Sequence, residues 1–320
     1  MKKFLFFLLI FSSLVTTAQY KWDYGIKLGG ANYLGDIGGK ELTRREFVVD
    51  MHLQSTRYSA GLYGRYKFSK RLSINGNLDY LRITDTDALT TNPARRARNM
   101  NFRNDMFEFG MRAELTIWYD NDVGNRGYYN PDFKMFVFGG LSGFYSNPKG
   151  QIFKEGELAY DGEYFNLRDW MTEGQDKPYS QFGVAIPAGL GFYLTFDKTW
   201  RLGMEFSWRT TFTDYLDDIS TTYQLPNTAD PLASEFVNQS YPALIEAINL
   251  DNPDMEAMSV NSFQYVEGFE TKRGDPTHND SFLTAQLTIG KVIRGKSNFY
   301  RSKYSWMKNR AGVRRSKAKF

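Results

Sequence analysis

The stretch FGVAIPAGLGFYLTF, Phe182–Phe196, contains no charged residue and alternates with a period of two. One face reads Phe182, Val184, Ile186, Ala188, Leu190, Phe192, Leu194 and Phe196. The other reads Gly183, Ala185, Pro187, Gly189, Gly191, Tyr193 and Thr195. Period two predicts a strand. A strand that is bulky and apolar on one side, and mostly small and apolar on the other, does not leave either side in bulk water. It fits lipid outside and a crowded lumen inside.

The same alternation recurs along the chain and predicts strands at 24–30, 57–68, 72–82, 107–119, 134–145, 182–196, 201–209 and 282–291. Leu72, Ile74, Leu78 and Tyr80 oppose Ser73, Asn75, Asn77 and Asp79. Phe107, Phe109, Met111, Ala113, Leu115 and Ile117 oppose Glu108, Arg112, Glu114 and Thr116. Short connections at 69–71 and 197–199, with a longer one at 120–132, alternate with long ones at roughly 31–56, 85–104, 146–180 and 214–280. Short turns on one side and long loops on the other are the pattern of a bacterial outer-membrane barrel. The expected fold is therefore all-β: an eight-stranded antiparallel transmembrane barrel with long extracellular loops and both termini periplasmic. An eight-stranded barrel has an interior just wide enough to be filled by side chains. Inward-facing Lys27, Arg65, Asp79, Arg112, Glu114, Glu205 and Arg209 are expected to pair there, which argues against a wide pore.

Composition agrees. The chain has 320 residues with 17% aromatics, 26 Phe, 21 Tyr and 28 Gly, yet it is polar on average. There is no cysteine, which excludes lipoprotein anchoring, thiol catalysis, Cys-type zinc sites and disulfides. At the N-terminus, Lys2 and Lys3 precede an apolar run, and Thr16 and Ala18 offer small side chains for a signal peptidase. Residues 1–18 read as a secretory signal peptide, 19–293 as the barrel and 294–320 as a tail. The tail holds ten Lys or Arg residues and no acid, whereas the rest of the mature chain carries 28 basic against 36 acidic residues. A block of one charge is commonly a partner-binding arm. Arg294, Lys296, Arg301, Lys303, Tyr304, Trp306, Lys308, Arg310, Arg314 and Arg315 are its candidate docking residues.

Two segments carry a resemblance: GGANYLGD at residues 29–36 and RNMNFRNDMFE at residues 98–108. Together they resemble the Bacteroidota outer-membrane β-barrel family that includes PorG, of the type IX secretion and gliding machinery. That resemblance implies a non-catalytic scaffold in protein transport. It would tie a periplasmic ring, built from a lipoprotein and its partner, to the outer membrane and to the translocon. From the residues themselves, the glycines suit close strand approach. Asp36 with Arg98, and Arg103 with Glu108, are candidate structural pairs.

Signals for chemistry are weak. His52 and His278 are the two histidines, both in expected loops. His278 lies near Asp275, Asp280 and Ser281, but no Gly-x-Ser-x-Gly elbow is present. Residues 120–125 loosely resemble a calcium loop without its bidentate Glu. In the last long loop, where 242–258 is expected to hold a short helix, the carboxylates of Asp214, Asp217, Asp218, Asp251, Asp254 and Glu256 read equally well as divalent-ion ligands or as a solvated acidic loop. No enzyme activity, cofactor, metal or nucleic-acid partner is expected. A surface adhesin or ligand-binding barrel working through its extracellular loops is the alternative.

Overall fold

In the computed structural model, residues 21–39, 51–120, 132–197 and 199–293 are described. The expected signal peptide and the tail, with all ten candidate docking residues, lie outside them, as does the calcium-like turn beyond Asp120. Eight long strands carry the architecture: β1 (Trp22–Leu34), β2 (Arg57–Lys67), β3 (Leu72–Thr86), β4 (Asn101–Asp120), β5 (Asp132–Tyr145), β6 (Phe182–Phe196), β7 (Trp200–Thr211) and β8 (Ser281–Val292). Every neighbouring pair is antiparallel. β1 pairs with β8, and β3 with β4, so the order closes on itself and leaves no free barrel edge.

Alternation sets the two faces. Along β6 the even-numbered residues face outward and the odd-numbered ones are mostly buried. Leu190 sits between Val137 of β5 and Phe206 of β7, all three exposed on the outer wall. Ile26, Leu28, Leu62, Leu78, Phe109, Met111, Val184, Leu202, Leu287 and Ile289 continue that apolar surface around the barrel. A contiguous apolar wall of this size is incompatible with water and suits hydrocarbon. Aromatic rings border it at both ends. Trp22, Tyr24, Phe68, Trp118, Tyr119, Phe196 and Trp200 lie at the short-turn end, and Tyr58, Phe107, Phe182 and Phe212 at the loop end. No helix among the described residues is long and apolar enough to cross a membrane.

The lumen is filled by paired charge. Lys27 Nζ lies 2.7 Å from Asp79. Arg65 contacts Glu114 at 2.5 Å and Glu205 at 3.4 Å, and Arg112 reaches Glu205 at 2.5 Å. Arg209 pairs with Glu108 at 2.9 Å, and Arg201 with Asp23. Phe136, Phe138 and Tyr193 pack among these groups, with the Arg112 guanidinium 4.1 Å from the Phe138 ring centroid. Buried charges are tolerated because each meets an opposite one across the lumen.

Three sequence expectations need correction. The segment 85–104 is not simply a loop. β3 and β4 stay paired as far as Thr86 and Asn101, so they rise beyond the rim as a hairpin tipped by helix α1 (Pro93–Arg98). Arg103 does not pair with Glu108; five residues apart, they point to opposite faces of one strand. Arg103 lies 3.6 Å from Asp105, and Glu108 meets Arg209. The expected helix within 242–258 forms as Pro242–Asp251 and stops there.

Candidate functional site

The long connections do not hang free over the barrel. Their helices start where the sequence supplies caps. Asn92 Oδ1 accepts from the backbone N–H groups of Ala94 and Arg95 at the start of α1, and Asn99 ends that helix at φ 58°. Asp230 caps helix α2 (Pro231–Val237) by accepting from Leu232 N at 3.0 Å. Helix α3 (Pro242–Asp251) begins with proline at its first position, where a missing N–H costs nothing.

These elements enclose a core above the loop-end rim. Ile37, Ala97, Met100, Leu216, Ile219, Tyr223, Val237, Ile245, Ile248 and Phe263 pack onto Tyr33, Leu81, Ile83, Phe102, Phe144 and Phe282 from the strand tops. A second cluster of Ile152, Leu167, Trp170, Ala233 and Phe236 joins the β5–β6 connection to α2. The loops thus form a packed cap.

Arg98 ties the cap together. Its guanidinium binds Asp87 through Nε at 2.8 Å and Nη2 at 2.9 Å, and donates to the carbonyls of Asp36 at 2.7 Å and Arg273 at 2.6 Å. The expected Asp36–Arg98 pair is therefore corrected: Arg98 bonds the Asp36 backbone, and its carboxylate partner is Asp87. Arg273 is enclosed in turn by Glu173 at 3.0 Å, Thr172 at 2.9 Å and the Asp218 carbonyl at 3.0 Å. Nothing in the local sequence around residue 98 announces partners at Asp36, Asp87 and Arg273, in three separate segments.

The carboxylates of the last connection divide. Asp251, Asp254 and Glu256 are exposed, as a solvated loop expects, whereas Asp217 and Asp218 are fully buried and Asp214 nearly so, with Asp280 buried beside them. Asp217 accepts from Ile37 N at 2.9 Å and Ile219 N at 3.0 Å. Asp218, held at φ 74°, turns the other way and accepts from Thr172 at 2.6 Å and Tyr179 at 2.8 Å. Asp280 accepts from the Tyr33 hydroxyl at 2.6 Å and Leu216 N at 2.9 Å. Burial pushes Asp217 up to about 7, with the charge of Asp36 adding to it. Burial also raises Asp218 to about 6, opposed by Arg273 and the two hydroxyl donors. Burial and then the neighbouring Asp217, Asp214 and Asp36 hold Asp280 well above the ordinary carboxylate range. Among the described residues, no group of three or more His, Asp or Glu is arranged to hold a metal ion.

The histidines serve the cap's edges. His52 is buried 3.7 Å from Asp85, and exposed His278 contacts Thr277 at 2.7 Å and Asp275 at 3.2 Å. Beside His278 a cleft of about 480 Å³ opens between α1 and the last connection, lined by Arg95, Lys272, Asp275 and Phe263 among others. At the opposite, short-turn end, Ile293 N donates to Trp22 O at 2.8 Å. The described chain therefore enters and leaves the barrel side by side.

A family model described as "Domain of unknown function (DUF6089)" matches residues 1–228, and the chain belongs to that family. No curated protein matches it. Among solved structures it is similar to Ail, the attachment invasion locus protein of Yersinia pestis, in complex with the heparin analogue sucrose octasulfate. The identity there is 7%, over 85% of this chain and 98% of that one, at a TM-score of 0.33. It is also similar to the outer membrane protein OprG from Pseudomonas aeruginosa, at 7% identity over 88% and 100% of the two chains with a TM-score of 0.32. The N-terminal β-barrel domain of Pseudomonas aeruginosa OprF gives 7% identity, 87% and 100% coverage, and a TM-score of 0.30.

Proposed function

We propose that this DUF6089-family barrel is a non-catalytic outer-membrane scaffold that holds a periplasmic assembly. The reading takes the assembly to be the lipoprotein ring of the type IX secretion and gliding machinery. The supporting observation is the sealed lumen. Five cations (Lys27, Arg65, Arg112, Arg201, Arg209) meet five carboxylates (Asp23, Asp79, Glu108, Glu114, Glu205) inside the wall. A neutral, side-chain-filled interior suits an anchor better than a conduit. The basic tail leaves from the short-turn end, where an eight-stranded barrel presents its termini to the periplasm. The PorG-like motifs at 29–36 and 98–108 point to the same machinery.

The test is affinity purification from mild-detergent membranes, comparing the full chain with one ending at Ile293. The reading expects ring lipoproteins with the full chain and their loss on truncation. A barrel that purifies alone in both forms overturns it. A second reading, a ligand-binding or adhesive barrel, is favoured by the packed cap and the cleft beside His278. Replacing Arg95 and Lys272 by Gln would abolish ligand capture at that cleft and leave ring co-purification intact.

A further inference from the structure

The short-turn end of the barrel is not flat. The strand ends frame a vestibule of about 390 Å³, open to the aqueous side and lined by Lys21, Lys67, Lys70, Lys134, Arg201 and Asp132 among others. The lumen beyond it is already balanced charge for charge, with Arg201 committed to Asp23. The vestibule therefore adds four lysines against one carboxylate. These cations converge. Lys67 Nζ lies 5.5 Å from the Tyr193 ring centroid and the Arg201 guanidinium 4.7 Å from it, while Lys134 is the cross-strand neighbour of Tyr193.

Arg201 supplies a second, independent sign of an incomplete site. It is 5% exposed and lines the vestibule, and although one side meets Asp23, its Nε has no hydrogen-bond partner among the described residues. A buried donor left unbonded is costly. A concave site lined by one sign of charge focuses its field and draws in the opposite sign.

We propose that this vestibule binds a carboxylate-rich peptide segment of a periplasmic partner. The choice of partner rests on the scaffold reading above, in which this end faces the periplasm. Lipid is a poor occupant because the vestibule lies within the barrel wall, whereas the aromatic border that meets the bilayer, Trp22, Trp118 and Trp200, lies on the outside. The chain's own tail is an equally poor one, since its ten basic residues and absence of acid give it the charge of the site itself. In the proposal the vestibule itself seats the partner's carboxylates through Lys67, Lys134 and their neighbours.

The test uses the full chain in lipid nanodiscs with hexaglutamate as probe. Carbodiimide joins carboxylates to lysine amines at contact, and mass spectrometry maps the adducts. Adducts at Lys67 and Lys134 are expected, and Lys67→Gln with Lys134→Gln should weaken hexaglutamate binding by about tenfold. Lys154→Gln, at the cap end, should leave binding unchanged. Adducts confined to residues 294–320 would overturn the proposal. So would displacement of the probe by inorganic phosphate at equal concentration, which would mark a small-anion site. Equal adducts with anionic vesicles but none with the peptide would assign the charge to lipid. Loss of ring co-purification on tail truncation, with no adducts in the vestibule, would remove this proposal and leave the scaffold reading standing. Adducts without any ring co-purification would do the reverse.

Discussion

The lumen and the cap both bury charge, and they do it by different means. In the lumen, carboxylates face cations on other strands, as with Glu205 between Arg65 and Arg112. In the cap, Asp217 and Asp280 face one another's charge and are held by backbone N–H groups and a tyrosine hydroxyl. Strands present side chains at fixed spacing and bury nearly all their N–H groups in the ladder, so a lumenal carboxylate must find a cation. Loops have unladdered N–H groups to offer, so Asp217 and Asp280 are satisfied without a cation, while Asp87 and Glu173 in the same cap still pair with Arg98 and Arg273. The lumen sets charge against charge, whereas burial in the cap raises Asp217 and Asp218 toward neutral pH.

The largest expected effect breaks the lumenal side of that contrast. Glu205→Ala removes the close partner of Arg112, leaving Glu114 between Arg65 and Arg112, and should cost about 3–5 kcal/mol, read as a lower urea midpoint for loss of barrel structure in detergent. Replacing Lys27 by Met together with Asp79 by Leu removes both partners and should be close to neutral; a large loss would show that more than pairing matters there. Next comes Arg98→Ala, which removes four bonds from the cap and should cost about 2–4 kcal/mol locally. Proteolytic nicking within 214–280 should appear while the barrel midpoint stays fixed. If the barrel midpoint moves equally, the cap and barrel are one cooperative unit.

pH sharpens the comparison further. Asp217 and Asp218 have folded-state values raised to about 7 and about 6, above those of an unfolded chain. The folded cap therefore holds protons that the unfolded cap releases. Its stability is fullest below about pH 4, declines through the interval, and is lost as pH rises through about 7. After correction for the intrinsic pH dependence of amide exchange, protection over residues 214–224 should be lower at pH 8 than at pH 5.5, with the protection of β-strand amides unchanged. The smallest effect is expected from Tyr33→Phe, which removes the bond to Asp280 and the acceptor for Asp36 N, worth about 1 kcal/mol. It should show as a modest rise in cap exchange that grows as pH rises, because the hydroxyl donor favours the ionised form of Asp280.

Much of the barrel was legible because a strand writes its environment with a period of two. Arg65, Arg112, Glu114, Glu205 and Arg209 could be assigned to the lumen by parity, and the outward Leu, Ile and Phe to lipid. Pairing was not legible in the same way. Glu108 and Arg209 are far apart in sequence, and their meeting depends on the width and stagger of the closed barrel. Phe136 and Phe138 were hidden for a related reason: aromatic residues on the lumenal face weaken the polar–apolar contrast by which a strand is recognised. The cap was least legible. Its acidic residues have the composition of a solvated loop, and nothing within 214–218 tells that Ile37, Thr172 and Tyr179 will cover them.

By itself the sequence determined the strand class, the strand count, the side of each strand that meets lipid, and the segregation of positive charge into the tail. Those properties are local, repeating along one chain at fixed spacing. Tertiary structure alone decided which lumenal charges pair, that the long connections pack into two apolar clusters above the rim, and that the short-turn end is a cationic hollow. Each of these depends on bringing together residues that chain order keeps far apart, and only closure of the barrel sets the distances between them.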